Sequence, residues 1–292
     1  MLVFIIAIYK RHELTRIVLD YYRELQNKYP FKVVIAGSEG KISKDLAHGF
    51  EYIEAPNSPL TFKNNAMMQK AMDLSPDAIV LLGSDDLICE NVIKYYYDLI
   101  NDKEDGVCGF NGLYFHDVNT GKSSYYNASA NFGAGRYFPK SVLEKINYKG
   151  WERAKDKGCD NENKRVLMLN GVKIKSISLE EINGYLVDIK HDFSITSKNI
   201  TLVGKQLNYN IMPRVSKKVT DEVNALKEEP KKTTSKAKPV EIESNIPDDF
   251  DKEKEYTIVS TGKSKHMKAG LEYVQVGESA LNLVLKGYAV FK

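Results

Sequence analysis

Asp77-Ala-Ile-Val-Leu-Leu-Gly-Ser-Asp-Asp-Leu-Ile88 is the stretch on which the fold turns. Ala78 to Leu82 form an unbroken apolar run, too short for a membrane span and too aliphatic for a surface loop. A short apolar run bounded by turn residues predicts a strand buried on both faces, as in a parallel sheet. It ends at Gly83-Ser84 and two adjacent carboxylates, Asp85 and Asp86. Open α/β sheets bind their ligands at the carboxyl ends of the strands. An acid pair there suits a divalent cation, and a cation there suits a phosphate-bearing ligand. The same pair would also suit the start of a helix, because acids favour N-caps and first turns.

Upstream, Met1 to Ile8 is an apolar opening with no basic segment before it and no small-residue cleavage site after it. It therefore predicts a buried first strand and not a signal peptide. Leu14, Ile17, Val18, Tyr21, Tyr22 and Leu25 recur at helical spacing, which predicts a helix from Glu13 to Gln26, ended by Pro30. Phe31 to Ala36 and Glu51 to Glu54 are two further strands. A helix from Leu60 to Leu74 then carries Lys63, Asn64 and Asn65 near its start. The resulting order β-α-β-β-α-β predicts an α/β fold with a mostly parallel sheet, right-handed crossovers and a nucleotide-binding half.

Downstream, Asn91 to Ile100 reads as a helix. Val107 to Val118 and Ser123 to Asn127 read as two strands joined by the turn Asn119-Thr-Gly121. Phe132 to Arg136 reads as a flexible small-residue bend, and Pro139 opens a helix running to Ile146. Asp160 to Leu169 is helical in pattern, followed by β-like runs at Val172 to Ile177 and Tyr185 to Ile189. From Val215 to Asp249 there is no aromatic residue, three prolines interrupt the chain, and a lysine-rich part gives way to an acidic one. That composition predicts a disordered linker, placed at residues 213–253 between a domain of residues 1–212 and a small α+β module of residues 254–292. In the module, Tyr256 to Val259, Glu272 to Val276 and Tyr288 to Phe291 read as strands and Ser279 to Lys286 as a helix. A unit of about forty residues is near the lower limit for folding alone, so it is expected to dock on another copy, a protein partner or an assembly.

The chain of 292 residues is long enough for about two domains. A net charge of +3 gives no global field for nucleic acid. Cys89, Cys108 and Cys159 are odd in number and form no CxxC pair, which argues against a zinc knuckle or a disulfide framework and for a reducing, cytoplasmic setting. His12, His48, His116 and His266 lie in no metal-binding spacing.

Strand, short loop and amphipathic helix at Phe4 to Leu25, Lys63-Asn64 ahead of the acid strand, and Gly83-Ser84-Asp85-Asp86 at its end together resemble the glycosyltransferase A fold, in particular the inverting family 2 group. The resemblance covers roughly Leu2 to Asn210. It implies a GT-A-like domain that moves a sugar from a nucleotide-sugar donor to an acceptor hydroxyl with Mn²⁺ or Mg²⁺. By that resemblance Asp86 ligates the metal, Asp85 binds the donor and His191 is a further metal ligand. Ser38-Glu39 looks like the family's acidic base-recognition site, with Tyr9 and Arg11 near the nucleotide. Phe132-Gly-Ala-Gly-Arg136 and Gly158-Cys-Asp-Asn-Glu162 look like the acceptor segment and the start of the catalytic helix, making Asp160 the base and Glu162 its substitute. A carboxylate can take the acceptor proton in an inverting transfer. Gly83 stands where the commoner form of the motif has aspartate.

The terminal module resembles small attachment domains of bacteriophage proteins. With the charged linker it motivates a second reading, in which the chain is a structural or decoration protein of a phage particle that keeps a glycosyltransferase-like domain as scaffold. A third, a nucleotidyltransferase, needs a glycine-rich phosphate loop near the N-terminus, and Ala7 to Arg11 contains no glycine.

Overall fold

β1 (Leu2–Ala7) is apolar from end to end because both of its faces are covered. Phe4 and Ile6 point into one core with Val18 and Tyr22 of α1 (His12–Gln26) and Tyr96 of α4 (Glu90–Asn101). Val3 and Ile5 point into the other, with Met67, Met68 and Ala71 of α3 (Leu60–Met72). The alternation of side chains along a strand is what sends successive residues to opposite layers. The coordinates are a computed structural model that describes residues 1–128, 131–191 and 204–226, together with the backbone of 255–260, 272–276 and 289–291.

Among the described residues the main sheet has seven strands. β1 lies between β2 (Lys32–Gly37) and β4 (Ala78–Gly83), with β3 (Glu51–Glu54) beyond β2, all parallel. β9 (Arg136–Pro139) runs antiparallel beside β4, followed by β6 (Val107–Phe110) and β10 (Ile174–Ile177). A second sheet takes the order β12 (Lys205–Gln206), β8 (Ser123–Asn127), β7 (Gly112–Asp117), β11 (Leu186–Lys190) and β5 (Asp86–Ile88). The fold is thus α/β, with a mostly parallel main sheet flanked by helices, as the strand and helix order predicts. Three further helices are α2 (Lys41–Leu46), α5 (Lys140–Lys145) and α6 (Cys159–Leu169).

Several elements differ from the sequence reading. Val107 to Val118 is not one strand: the chain bends at Asn111, whose N–H donates to Ile177 and whose carbonyl accepts from Ala128, and β6 and β7 join different sheets. An apolar run reports burial but not the sheet in which the burial occurs. The bend at 132–136 ends in a strand, with the Arg136 guanidinium fully buried. Within the segment expected to be linker, α7 (Lys217–Ala225) forms, capped where Ser216 Oγ accepts the Val219 N–H. Val219 and Val223 are buried, while Lys218 pairs with Glu24 and Glu222 with Arg16 of α1. Two apolar positions among lysines and acids are too few to register as a helix face in composition. The structured part of the first unit therefore runs beyond residue 212, and that unit extends to Glu229.

The second unit spans Pro230–Lys292. Its described part is an antiparallel sheet of β13 (Glu255–Ser260) flanked by β14 (Glu272–Val276) and β15 (Ala289–Phe291). The expected linker beyond residue 226 and the expected helix at 279–286 lie outside the described residues.

Candidate functional site

The parallel strands end level, with Ala7 in register with Ala36 on one side and Gly83 on the other. At that edge opens a cleft of about 620 Å³. Of the residues singled out in the sequence, Tyr9, Arg11, Lys63, Asn64, Asp85, Asp86 and Asp160 line it. Asp188 and Lys190 line it too, and no sequence pattern had drawn attention to either.

The acid cluster is built by backbone pairing. Asp86 opens β5, which pairs antiparallel with β11 so that Asp86 and Asp188 stand opposite each other. The Ile189 N–H donates to the Asp85 carbonyl at 2.8 Å, and the Tyr22 hydroxyl donates to that of Asp86 at 2.8 Å. One carboxylate oxygen from each of Asp85, Asp86 and Asp188 lies within 4.8 Å of the others. Gly83 makes the turn possible. Its N–H donates to Asp86 Oδ2 at 2.5 Å, and a Cβ on it would sit 2.8 Å from Asp85 Oδ1 and 3.0 Å from Asp86 Oδ2. The acid that the commoner motif carries at this position has no room here, and Asp188 supplies a third carboxylate from another strand.

Three carboxylates this close in a largely buried corner of the cleft repel one another. Burial, then Asp188 and Asp85, hold the Asp86 carboxyl well above the usual carboxylate range, against the Gly83 N–H and Lys190. Burial and Asp85 push Asp188 up to about 6, against Lys190 and Arg11. Asp188 Oδ1 is buried with no hydrogen-bond partner among the described residues. Hard oxygen donors in excess, one of them unsatisfied, are the set that Mg²⁺ or Mn²⁺ takes. The residues therefore fit such a cation. His191 follows β11 directly but is not in the group of three among the described residues.

The ends of β1 and β2 carry cations. Arg11, in the left-handed conformation (φ 50°) at the start of α1, donates from Nη1 to Asp85 Oδ2 at 2.5 Å and from Nη2 to Ser84 Oγ at 2.9 Å. Lys63 is 1% exposed, and its Nζ ties the ends of β1 and β2 by donating to the Ile8 carbonyl at 2.8 Å and to Ser38 Oγ at 3.3 Å. Burial pulls this ammonium down to about 8, with Glu39 and Glu54 acting in the opposite sense. Glu39 accepts the Lys10 N–H at 2.8 Å and pairs with His12 Nε2 at 3.1 Å. Ser38 and Glu39 thus support the cleft through Lys63 and Lys10 and do not line it.

Asp160 lies in the first turn of α6 and its Oδ2 accepts the Gly133 N–H at 2.9 Å. A Cβ on Gly133 would come within 2.0 Å of Asp160 Oδ1, so the close approach requires glycine. Beneath this contact Arg136 donates to Asn163 Oδ1 at 2.7 Å and to the Phe132 carbonyl at 2.9 Å, fixing the loop that presents Gly133. Glu162 is placed differently. It is 4% exposed, outside the cleft lining, and its carboxylate is held by Arg165 at 2.7 Å and by the Arg153 N–H at 3.0 Å. Arg165 and that N–H keep it down at about 2, burial notwithstanding. This is a clamp between α6 and the preceding loop.

That loop is also fastened to α3. Asp156 accepts the Leu60 N–H at 2.9 Å and the Ser58 hydroxyl at 2.7 Å, and Thr61 Oγ1 bridges the Arg153 carbonyl and the Lys155 N–H. Asn65 makes reciprocal hydrogen bonds with the Trp151 backbone.

No protein-family model and no curated protein sequence matches the chain. Among solved structures it is similar to a CMP:2-keto-3-deoxy-manno-octonic acid synthetase complexed with CTP, at 14% identity over 61% of this chain and 89% of that one, with a TM-score of 0.41. It is similar to S. aureus TarS 1–349 in complex with UDP-GlcNAc, at 13% identity over 66% and 59% of the two chains, with a TM-score of 0.48. The catalytic domain of Drosophila β1,4-galactosyltransferase 7 complexed with xylobiose is similar at 12% identity over 60% and 63%, with a TM-score of 0.37.

Proposed function

We propose that the chain is a cation-dependent glycosyltransferase, moving a sugar from a nucleotide-sugar donor to an acceptor hydroxyl. One observation carries the reading: a single cleft at the strand ends is lined both by three converging carboxylates and by Asp160. Asp85, Asp86 and Asp188 would hold Mg²⁺ or Mn²⁺, which when bound stabilises negative charge on a departing nucleoside diphosphate as a Lewis acid. Arg11 and Lys63 place positive charge at the ends of β1 and β2, where phosphates would lie.

Asp160 is the base. The Gly133 N–H fixes its Oδ2, and Oδ1 accepts no hydrogen bond from the described residues, so one oxygen is oriented and the other is available. As the acceptor oxygen bonds to the anomeric carbon, its proton passes to Asp160. The bond from that carbon to the diphosphate breaks, and its electron pair leaves with the diphosphate. In this reading Glu162, paired with Arg165 and outside the cleft lining, does not act as the base.

The test is incubation with a panel of nucleotide sugars and Mn²⁺, reading nucleotide release and donor binding. Turnover or binding of at least one donor is expected, and Asp86→Ala should remove the cation dependence. Failure to bind any nucleotide sugar, with or without the cation, would refute the proposal.

A further inference from the structure

The acid cluster already contains two positive charges of its own. Arg11 Nη1 lies 2.5 Å from Asp85 Oδ2, and Lys190 Nζ lies 2.5 Å from Asp188 Oδ2. Both side chains line the cleft, yet Arg11 is 9% and Lys190 1% exposed. Three carboxylates and two resident cations leave the cluster with one net negative charge when all are ionised. A divalent cation approaching the same oxygens therefore meets an arginine and a lysine already in place.

From this we infer that Arg11 and Lys190 are exchangeable counter-ions, which neutralise the acids in the cation-free protein and turn to the donor's diphosphate when a divalent cation takes the carboxylates. The inference rests on the proposed function. The mounting of the groups decides which of them yields. Asp86 and Asp188 sit on paired backbone, and Asp85 is held by the Ile189 N–H. The two cations are the ends of long side chains, Arg11 reaching from the turn before α1 and Lys190 crossing the Phe115 ring at 5.3 Å. Like charges within a few ångströms in a largely buried site repel, so a divalent ion and the two side-chain cations cannot share these oxygens without cost. A diphosphate at the strand ends offers each of these cations an anion in exchange for the carboxylate it gives up. Cation and diphosphate then strengthen each other's binding, and the linkage is reciprocal.

The experiment uses the full chain with Mn²⁺ and inorganic pyrophosphate as probes, read by calorimetry and by electron paramagnetic resonance of Mn²⁺. For Lys190→Met, Mn²⁺ alone should bind roughly tenfold tighter, because one resident positive charge is gone, while pyrophosphate should bind the Mn²⁺-loaded protein roughly tenfold more weakly. Arg11→Gln should shift both affinities in the same opposed directions, and it carries the test if the buried Lys190 variant does not fold. Lys190→Arg, which keeps the charge, should remain near wild type. Both affinities falling together in the folded variants, or neither moving, overturns the exchange while leaving the proposed function standing. Wild-type protein that binds no Mn²⁺ overturns the exchange and the cation-dependent reading together.

Discussion

Alanine at position 83 would put one methyl group where two carboxylates converge. The added Cβ would lie 2.8 Å from Asp85 Oδ1 and 3.0 Å from Asp86 Oδ2, short of ordinary 3.4 Å contact by about 0.6 and 0.4 Å. In the cation-free protein neither carboxylate is free to swing aside: Arg11 pairs with Asp85 at 2.5 Å, and the Gly83 N–H holds Asp86 at 2.5 Å. Gly83 does not have positive φ, so the substitution acts through contact alone and not through backbone strain. Overpacking of this kind costs about 1–2 kcal/mol of stability. Moving two of three ligands by about half an ångström should also weaken Mn²⁺ roughly tenfold, equivalent to about 1.4 kcal/mol. Calorimetric titration with Mn²⁺ and a thermal melt read the two effects separately. Gly83→Asp should act in the same direction and more strongly, although it restores the commoner motif. Alanine that leaves both the Mn²⁺ affinity and the melting temperature unchanged would show that the carboxylates are not held as described.

Because Asp86 and Asp188 are both raised above the usual carboxylate range, their protonation competes with the cation, and Mn²⁺ affinity should fall as pH falls, by about tenfold or more per pH unit below pH 6. The metal-free protein shows the opposite sign. A carboxylate raised in the folded state contributes stability below its unfolded value of 3.8 that is lost as pH rises through about 6, which denaturant titrations across that window would detect. Asp160→Asn should lower turnover by roughly 10²–10⁴-fold while donor binding measured calorimetrically is retained. Glu162→Gln should show in stability, lowering it in chemical denaturation as the pair between buried Glu162 and half-exposed Arg165 is broken. Val223→Ala, in a fully buried position on α7, should cost about 1–3 kcal/mol by the same measurement, and a change under about 0.5 kcal/mol would mean that the helix does not pack on α1.

The parallel half of the sheet was legible because continuous apolar strands and one amphipathic helix leave strong periodic signals. β5 and β9 were not, being three and four residues long and carrying no pattern of their own. Asp85, Asp86 and Asp160 could be picked out because each follows a turn at the end or start of an element. Asp188 and Lys190 alternate with Val187 and Ile189 in a short strand, and that period-two pattern of charged and buried residues was the available signal. It was overshadowed by the histidine beside it. Their convergence with Asp86 depends on β11 pairing with β5 across a separation of about a hundred residues, which local spacing does not encode.

Fastening the 151–156 loop to the start of α3 has a consequence for how this protein could be altered. The helix that bears Lys63 and Asn64 and the segment leading into Asp160 share one set of hydrogen bonds through Thr61, Asn65 and Asp156. On the proposed function, donor-side and acceptor-side groups are thereby built into the same strut. New acceptor preferences are best sought by changing individual rim side chains such as Tyr9 or Lys157, since shortening or regrafting the loop would carry the donor helix with it.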